Sequence, residues 1–183
     1  MIEFDRNTAV VFPGQGSQIV GMGADLHESS EEAKNIFEEV NQTLDRNLSE
    51  IIFSGSQEQL NKTENAQPAI TATSLACLAV FKEKYPNFEP SATAGHSLGE
   101  YTSLCASKSL SIQETIKLVS ERGRLMQIAC DITEKGLRRI LPVIKPGIME
   151  YEIEAELMHE FLINRSNGFA YQPIIGSGVD SCV

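Results

Sequence analysis

The sequence predicts an α/β fold with parallel strands, and three observations carry that expectation. Two short apolar runs each end in a glycine-rich turn. Helices with marked starts stand between and after them. Strands alternating with helices argue for a parallel sheet. A change of texture near residue 130 sets a tail apart from this core.

The elements follow in order. "TAVVFPGQGSQ" opens on a β-branched run, Ala9 to Phe12, and meets Pro13, Gly14 and Gly16 at once. That pattern predicts a buried strand entering a turn. In "SSEEAKNIFEEVNQTL", Ser29 with Glu32 has the spacing of a capping box, and Ala33, Ile36, Phe37, Val40 and Leu44 recur at helical intervals. "QPAITATSLACLAVFKEKY" begins with Pro68, which suits a first helical turn, and is apolar on nearly every face through Phe81. A buried helix follows from that. "PSATAGHS" reads as a second strand and "LGEYTSLCASKSL" as the helix leaving it. Ser111 and Glu114 form another capping box before "SIQETIKLVSERGRLMQ", where Ile112, Ile116 and Val119 share a face. In the tail, "EYEIEAELMHEFLINRS" is an amphipathic helix with Ile153, Leu157 and Phe161 on one face, and "FAYQPII" is strand-like.

Composition bounds the function. The chain has 183 residues, 42% hydrophobic and 22% charged, which is globular rather than disordered or fibrous. Its formal net charge of −10 speaks against a nucleic-acid or anionic-membrane surface, since both demand a basic face. The start, "MIEFDRN", lacks the basic and apolar regions of a secretory signal, and no run is long enough to span a bilayer. A cytoplasmic protein is expected. Cys77, Cys105, Cys130 and Cys182 are widely spaced without a C-x-x-C pair, so reduced, mostly buried thiols are expected.

The chemistry centres on "AGHSLGEY", residues 94 to 101, which sets Ser97 between glycines as G-x-S-x-G. In a nucleophile elbow the serine occupies a strained strand-to-helix turn and the glycines leave room for its backbone. A structural turn serine is the alternative. A nucleophile also requires oxyanion donors and a base. The Leu98 N–H, at the helix start, is the natural first donor. The turn "PGQGSQ" follows the other strand, and loops at the carboxyl ends of parallel strands converge on one crevice, so the Gln15 N–H fits as the second.

Four separated motifs, "VVFPGQGSQIVGMG", "LNKTENAQPAITA", "AGHSLGEYTSL" and "LVSERGRLMQ", resemble successive motifs of malonyl-CoA:acyl carrier protein transacylases over about residues 7 to 128. The resemblance implies an α/β-hydrolase-like acyltransferase core with Ser97 as the nucleophile that takes up malonyl. It further implies Gln15 and Leu98 as the backbone oxyanion hole, Gln67 lining the site, and Arg122 gripping the malonyl carboxylate. A planar guanidinium makes a bidentate pair that lysine cannot. Malonyl-CoA is then a substrate, acyl carrier protein the partner, and no cofactor is required. Any docking of the acidic carrier needs a local basic patch, for which Arg122 and Arg124 are the candidates.

The family's catalytic histidine lies in a later segment. Of the three histidines here, His96 precedes the serine and should point away from its hydroxyl, His27 lies early, and His159 sits on the acidic tail helix. None matches that segment. The tail, about residues 129 to 183, is instead similar to the opening of the catalytic domain of aminopeptidase P and related pita-bread metallopeptidases. That family's metal ligands belong downstream of Val183, so no metal site carries over. Glu156 and His159 are spaced i, i+3, but such di-iron sites need two pairs, and "HEFLI" does not complete H-E-x-x-H.

The expectation is therefore a chimera-like join near residues 127 to 130: an incomplete acyltransferase domain over 1–128 and, over 129–183, an unrelated α+β fragment resembling a metallopeptidase start. Malonyl transfer is the expected activity, impaired for want of the histidine. A non-catalytic chimeric or truncated product is the first alternative, and a metallo-aminopeptidase fragment without ligands the second. With few strands to pair, marginal stability or association is expected.

Overall fold

A computed structural model describes residues 8–176. The chain divides into two compact units, Met1–Leu125 and Met126–Val183.

The first unit begins with strand β1, Ala9–Phe12, and its partner β2, Ala92–Gly95, lies parallel to it, with Ala9 opposite Ala92 and Phe12 opposite Gly95. These two strands form the sheet found among the described residues. The register brings both carboxyl ends level, so the glycine-rich turn after Phe12 and the segment from His96 onward leave from one edge. Helix α6, Leu98–Ala106, packs on both strands.

The long connection between the strands is helical. Short α1, Ala24–Ser29, leads into α2, Glu31–Leu44, and then α3, Leu48–Ser54, and α4, Gln57–Asn61, precede α5, Thr63–Lys84. The capping expected of Ser29 belongs to its neighbour. Ser29 closes α1, its hydroxyl donating to the Asp25 carbonyl at 2.6 Å, while Ser30 turns extended and accepts the Ala33 N–H at 3.1 Å. With Ala33 three residues on, no carboxylate completes a box. At the head of α7, Ile112–Ile140, the expected box is present: Glu114 takes both the N–H and the hydroxyl of Ser111, and Ser111 accepts the Glu114 N–H.

Helix α5 is the axis of the core. Its residues Asn65–Ala72, with Leu75 and Ala76, are buried, and α2 lies along it. Phe37, Leu48, Ile52, Leu60, Ile116 and Val119 close around this spine, each at 1% exposure or less. The helix starts at Thr63, a full turn before the start expected at Pro68, which stands inside it. Proline lacks the N–H that would bond the carbonyl four residues earlier. That carbonyl, of Glu64, instead accepts Nη2 of Arg46 at 3.0 Å, and the same guanidinium bonds Oδ1 of buried Asn65. An arginine replaces the missing backbone donor.

Toward its end α5 is less covered. An apolar cleft of about 540 Å3 runs along β1, lined by Val10, Phe12, Cys77, Leu78, Phe81 and Phe88. Val11 is 74% exposed. The thiols depart from expectation: Cys77 and Cys130 are exposed and Cys105 is half-buried, because Cys77 faces this cleft and Cys130 lies beyond the core on α7. Burial still pushes the Cys77 and Cys105 thiols up. Cys182 lies outside the described residues.

The second unit comprises the end of α7 and helix α8, Glu150–Ile163. Gly136 lets the two meet: a Cβ there would stand 2.6 Å from Leu157 Cδ1 and 2.9 Å from Phe161 Cε1. Arg139 bridges to Glu156 at 2.7 Å and Glu160 at 3.3 Å, and Phe161 packs against Phe169 with the rings tilted. The strand expected at "FAYQPII" is absent, since residues 169–175 are bends and irregular chain. A strand needs a paired neighbour to complete its ladder, and no strand of this unit is described. The described tail is thus helical rather than α+β.

Candidate active site

The site grows from the ends of the two strands. Pairing continues one residue past β2, the His96 N–H donating to the Phe12 carbonyl at 3.2 Å. The chain then reverses at Ser97, whose φ of 53° and ψ of −96° are outside the ordinary range of a non-glycine residue. Such a backbone costs about 1–3 kcal/mol and persists where its surroundings enforce it. Here the enforcement is backbone contact: a Cβ on Gly95 would fall 1.9 Å from the Gly99 carbonyl carbon, and one on Gly99 would fall 2.3 Å from the Phe12 carbonyl oxygen. Glycine at both places lets α6 begin directly against the strand ends. Ser97 is lifted to the surface by this packing.

Its hydroxyl has a charged partner. Nη2 of Arg122, from α7, donates to Ser97 Oγ at 2.8 Å, while Nη1 donates to Oε1 of Gln67 at 2.7 Å. Gln67 is fully buried on α5, and its Nε2 donates to Oε1 of Gln15 at 3.4 Å. Gln15 Nε2 reaches Thr63 Oγ1 at 3.5 Å. The guanidinium carbon lies 5.7 Å from the centre of the Tyr101 ring. Serine, arginine and both glutamines, scattered over 108 residues from Gln15 to Arg122, therefore converge on one edge of the sheet.

In the first turn of α6 the Gly99 N–H donates to His96 and the Glu100 N–H to Ser97. The Leu98 N–H, as the first of the helix, has no carbonyl within α6 to bond. Among the described residues the hydroxyl's side-chain hydrogen bond is to Arg122 and not to a histidine. His96 Nδ1 lies against Gly14, where a Cβ would be 2.6 Å away; His27 packs edge-on against Phe37 and tilted against Phe53; His159 is on α8 of the second unit. Of the two arginines suggested for carrier docking, Arg124 is ion-paired with Glu121 at 2.6 Å, whereas Arg122 donates to the neutral Gln67 and Ser97. Among the described residues no group of three or more metal-ligating side chains gathers.

Residues 9–136 match the family model for the acyl transferase domain. The chain belongs to the acyl transferase family. Residues 124–183 match a second model, metallopeptidase family M24. This acyl transferase is 46% identical over 133 residues to the malonyl CoA-acyl carrier protein transacylase of Bacillus subtilis strain 168, covering 73% of this chain and 41% of that protein. The transacylase of Haemophilus influenzae KW20 is 47% identical over 124 residues, 68% of this chain and 40% of its own. Among solved structures, an acyl carrier protein S-malonyltransferase from Vibrio cholerae O1 superposes with a TM-score of 0.63 at 43% identity, covering 66% of this chain and 39% of that one. A type II PKS acyl-carrier protein in complex with its malonyl-transacylase superposes at 0.64 with 31% identity, covering 90% and 63%. The acyl transferase thus spans about two fifths of the length of the curated relatives it matches.

Three residues at this site were not singled out in the sequence. Tyr101 stands one turn after Ser97, Thr63 one turn before Gln67, and Gly123 beside Arg122. The i, i+4 spacing places the first two on the faces already carrying the candidates.

Proposed function

We propose that this acyl transferase takes a malonyl group from malonyl-CoA onto Ser97 and passes it to the phosphopantetheine thiol of acyl carrier protein. The observation that carries the reading is a serine in a strained strand-to-helix turn whose hydroxyl is held by an arginine. Ser97 Oγ attacks the thioester carbonyl. The new C–O bond drives negative charge onto the carbonyl oxygen, which the Leu98 and Gln15 N–H groups receive. Collapse breaks the C–S bond, and coenzyme A leaves as the thiol with the proton surrendered by the serine. The carrier's thiol then reverses these steps. No cofactor takes part.

Arg122 gives the reading its acyl group. When the malonyl carboxylate enters, it takes the guanidinium edge that rests on Ser97 Oγ, freeing the hydroxyl as the substrate arrives. Gln67 keeps the other edge in place. No histidine among the described residues bonds Ser97, so deprotonation falls to solvent, and a positioned base is worth about 10²–10⁴ in rate. Turnover is therefore slow, which favours a largely non-catalytic chain as the second reading. Among the described residues no helix is long and apolar enough to cross a membrane, and the reaction suits the cytoplasm. The match to metallopeptidases adds no reaction here.

The experiment is intact-mass spectrometry after incubation with malonyl-CoA, with Ser97→Ala alongside. A malonyl adduct on the parent that the variant lacks supports the reading. A folded parent that gains no mass overturns it in favour of the non-catalytic chain.

A further inference from the structure

The geometry points to Tyr101 and Gly123 as positioning residues for Arg122, and so as the residues that set the preference for an acyl group bearing a carboxylate; the inference rests on the acyl-serine reading above. Gly123 acts through distance. It is buried on α7, and a Cβ there would lie 2.6 Å from the Thr63 carbonyl oxygen, 3.0 Å from the Thr63 carbonyl carbon and 3.1 Å from Glu64 Cα. All three are backbone atoms that cannot rotate aside. The first turn of α5 and the middle of α7 therefore touch with no side chain between them. Arg122 precedes this contact by one residue, and Gln67 lies one turn beyond Thr63 on the same helix. The seat of α7 on α5 thus decides whether Nη1 reaches Gln67 at 2.7 Å and Nη2 reaches Ser97 at 2.8 Å. A methyl group at Gly123 displaces the helix by roughly 1 Å to restore ordinary contact, a misplacement that costs about 10²-fold where a reacting group must be positioned.

Tyr101 acts through direction. Its ring is partly buried against the core and stands on α6, one turn after Ser97. The Arg122 guanidinium carbon is 5.7 Å from the ring centre, within the range of cation–π attraction. The guanidinium is then limited on three sides, by the Gln67 amide oxygen, the Ser97 hydroxyl and the aromatic face. Without the ring, only the two hydrogen bonds restrain it. Neither residue touches the acyl group; both work through the guanidinium.

The consequence separates two substrates. A malonyl group uses Arg122, whereas an acetyl group has no carboxylate to offer it. Rates of Ser97 adduct formation from malonyl-CoA and acetyl-CoA, read by intact mass, are compared for the parent, Tyr101→Leu, Tyr101→Phe and Gly123→Ala. The malonyl-to-acetyl ratio is expected to fall about tenfold or more in Tyr101→Leu and Gly123→Ala, with the acetyl rate within about twofold of the parent, and to persist in Tyr101→Phe. An unchanged ratio, or both rates falling together as general damage would cause, overturns the inference. Should the parent form no adduct at all, the acyl-serine reading fails by itself, and positioning is read from free malonate. Titration is followed at the Arg122 side-chain N–H signals, assigned with Arg122→Lys. Weaker malonate binding in Tyr101→Leu and Gly123→Ala but not in Tyr101→Phe sustains the inference; equal binding in all four, or none in the parent, overturns it.

Discussion

The unit of Met1–Leu125 and the unit of Met126–Val183 are organised by different forces. In the first, aromatic and aliphatic side chains enclose the front half of α5, and polar Gln67 and Thr71 are buried with them. In the second, Gly136 alone is buried among the described residues, and Leu137, Leu141, Met149 and Ile163 are each more than half exposed. Ion pairs of Arg139 and the tilted contact of Phe161 with Phe169 hold it. Exposed ion pairs contribute little, whereas enclosed side chains contribute by area removed from water. A strained serine backbone needs rigid surroundings, and the first unit supplies them where the second has none to offer.

The largest expected effect tests whether this contrast is real. Phe37→Ala removes a fully buried ring packed on His27 and Phe53, and should cost about 3–5 kcal/mol of the first unit's stability. Urea unfolding followed by hydrogen exchange should find the loss in α2 and α5 with α8 unaltered. Equal loss of protection in α8 would mean that the two units unfold as one. Next is Arg46→Ala, which leaves the Glu64 carbonyl and the buried Asn65 side chain short of a donor. A loss of about 1–3 kcal/mol is expected in thermal melts, confined again to the first unit.

Gly136→Ala probes the other side of the comparison. Its Cβ meets the tips of Leu157 and Phe161, which are able to turn, so overpacking of about 1 kcal/mol is nearly offset by helix propensity of similar size. Exchange in α8 should change slightly and in α5 not at all. The smallest effect is on acid sensitivity. Hydrogen bonds from Ser111, hydroxyl first and then N–H, hold the Glu114 carboxyl below its ordinary value of 4.5. A carboxylate with a depressed folded pKa lends stability that is complete above the unfolded value and lost as pH falls through the folded one. Glu114→Gln should therefore lower the melting temperature slightly at neutral pH and flatten its decline below about pH 4.5, so that variant and parent converge in acid. A parallel shift at all pH values would place its role elsewhere.

How much of this was legible in the sequence varies with the range of the interaction concerned. The strand at Ala9–Phe12, the G-x-S-x-G turn and the Ser111 cap each carry a local sequence pattern, although the strand is completed only by pairing with Ala92–Gly95. Pro68 suits a first turn and so points to a later start for α5 than the structure has, because the donor that replaces its missing N–H is Arg46, 18 residues before Glu64 in sequence. The pairing of Arg122 with Ser97 and Gln67 has no local signature at all. Without its resemblance to a family, Arg122 reads as a solvated helix residue. "FAYQPII" illustrates the opposite error, since β-branched and aromatic residues describe a strand only if another strand is there to receive it.

The proline inside α5 bears on the order in which the molecule assembles. A helix ordinarily closes its first turns from its own backbone in well under a microsecond. Here the bond at Glu64 must come from the segment joining α2 to α3, so the front of α5 is finished only after a loop of chain has closed upon it. Gln67 lies between Glu64 and Pro68 within that span. The groundwork for the reactive edge is thereby made a late event, reserved for chains whose earlier helices have already found their places.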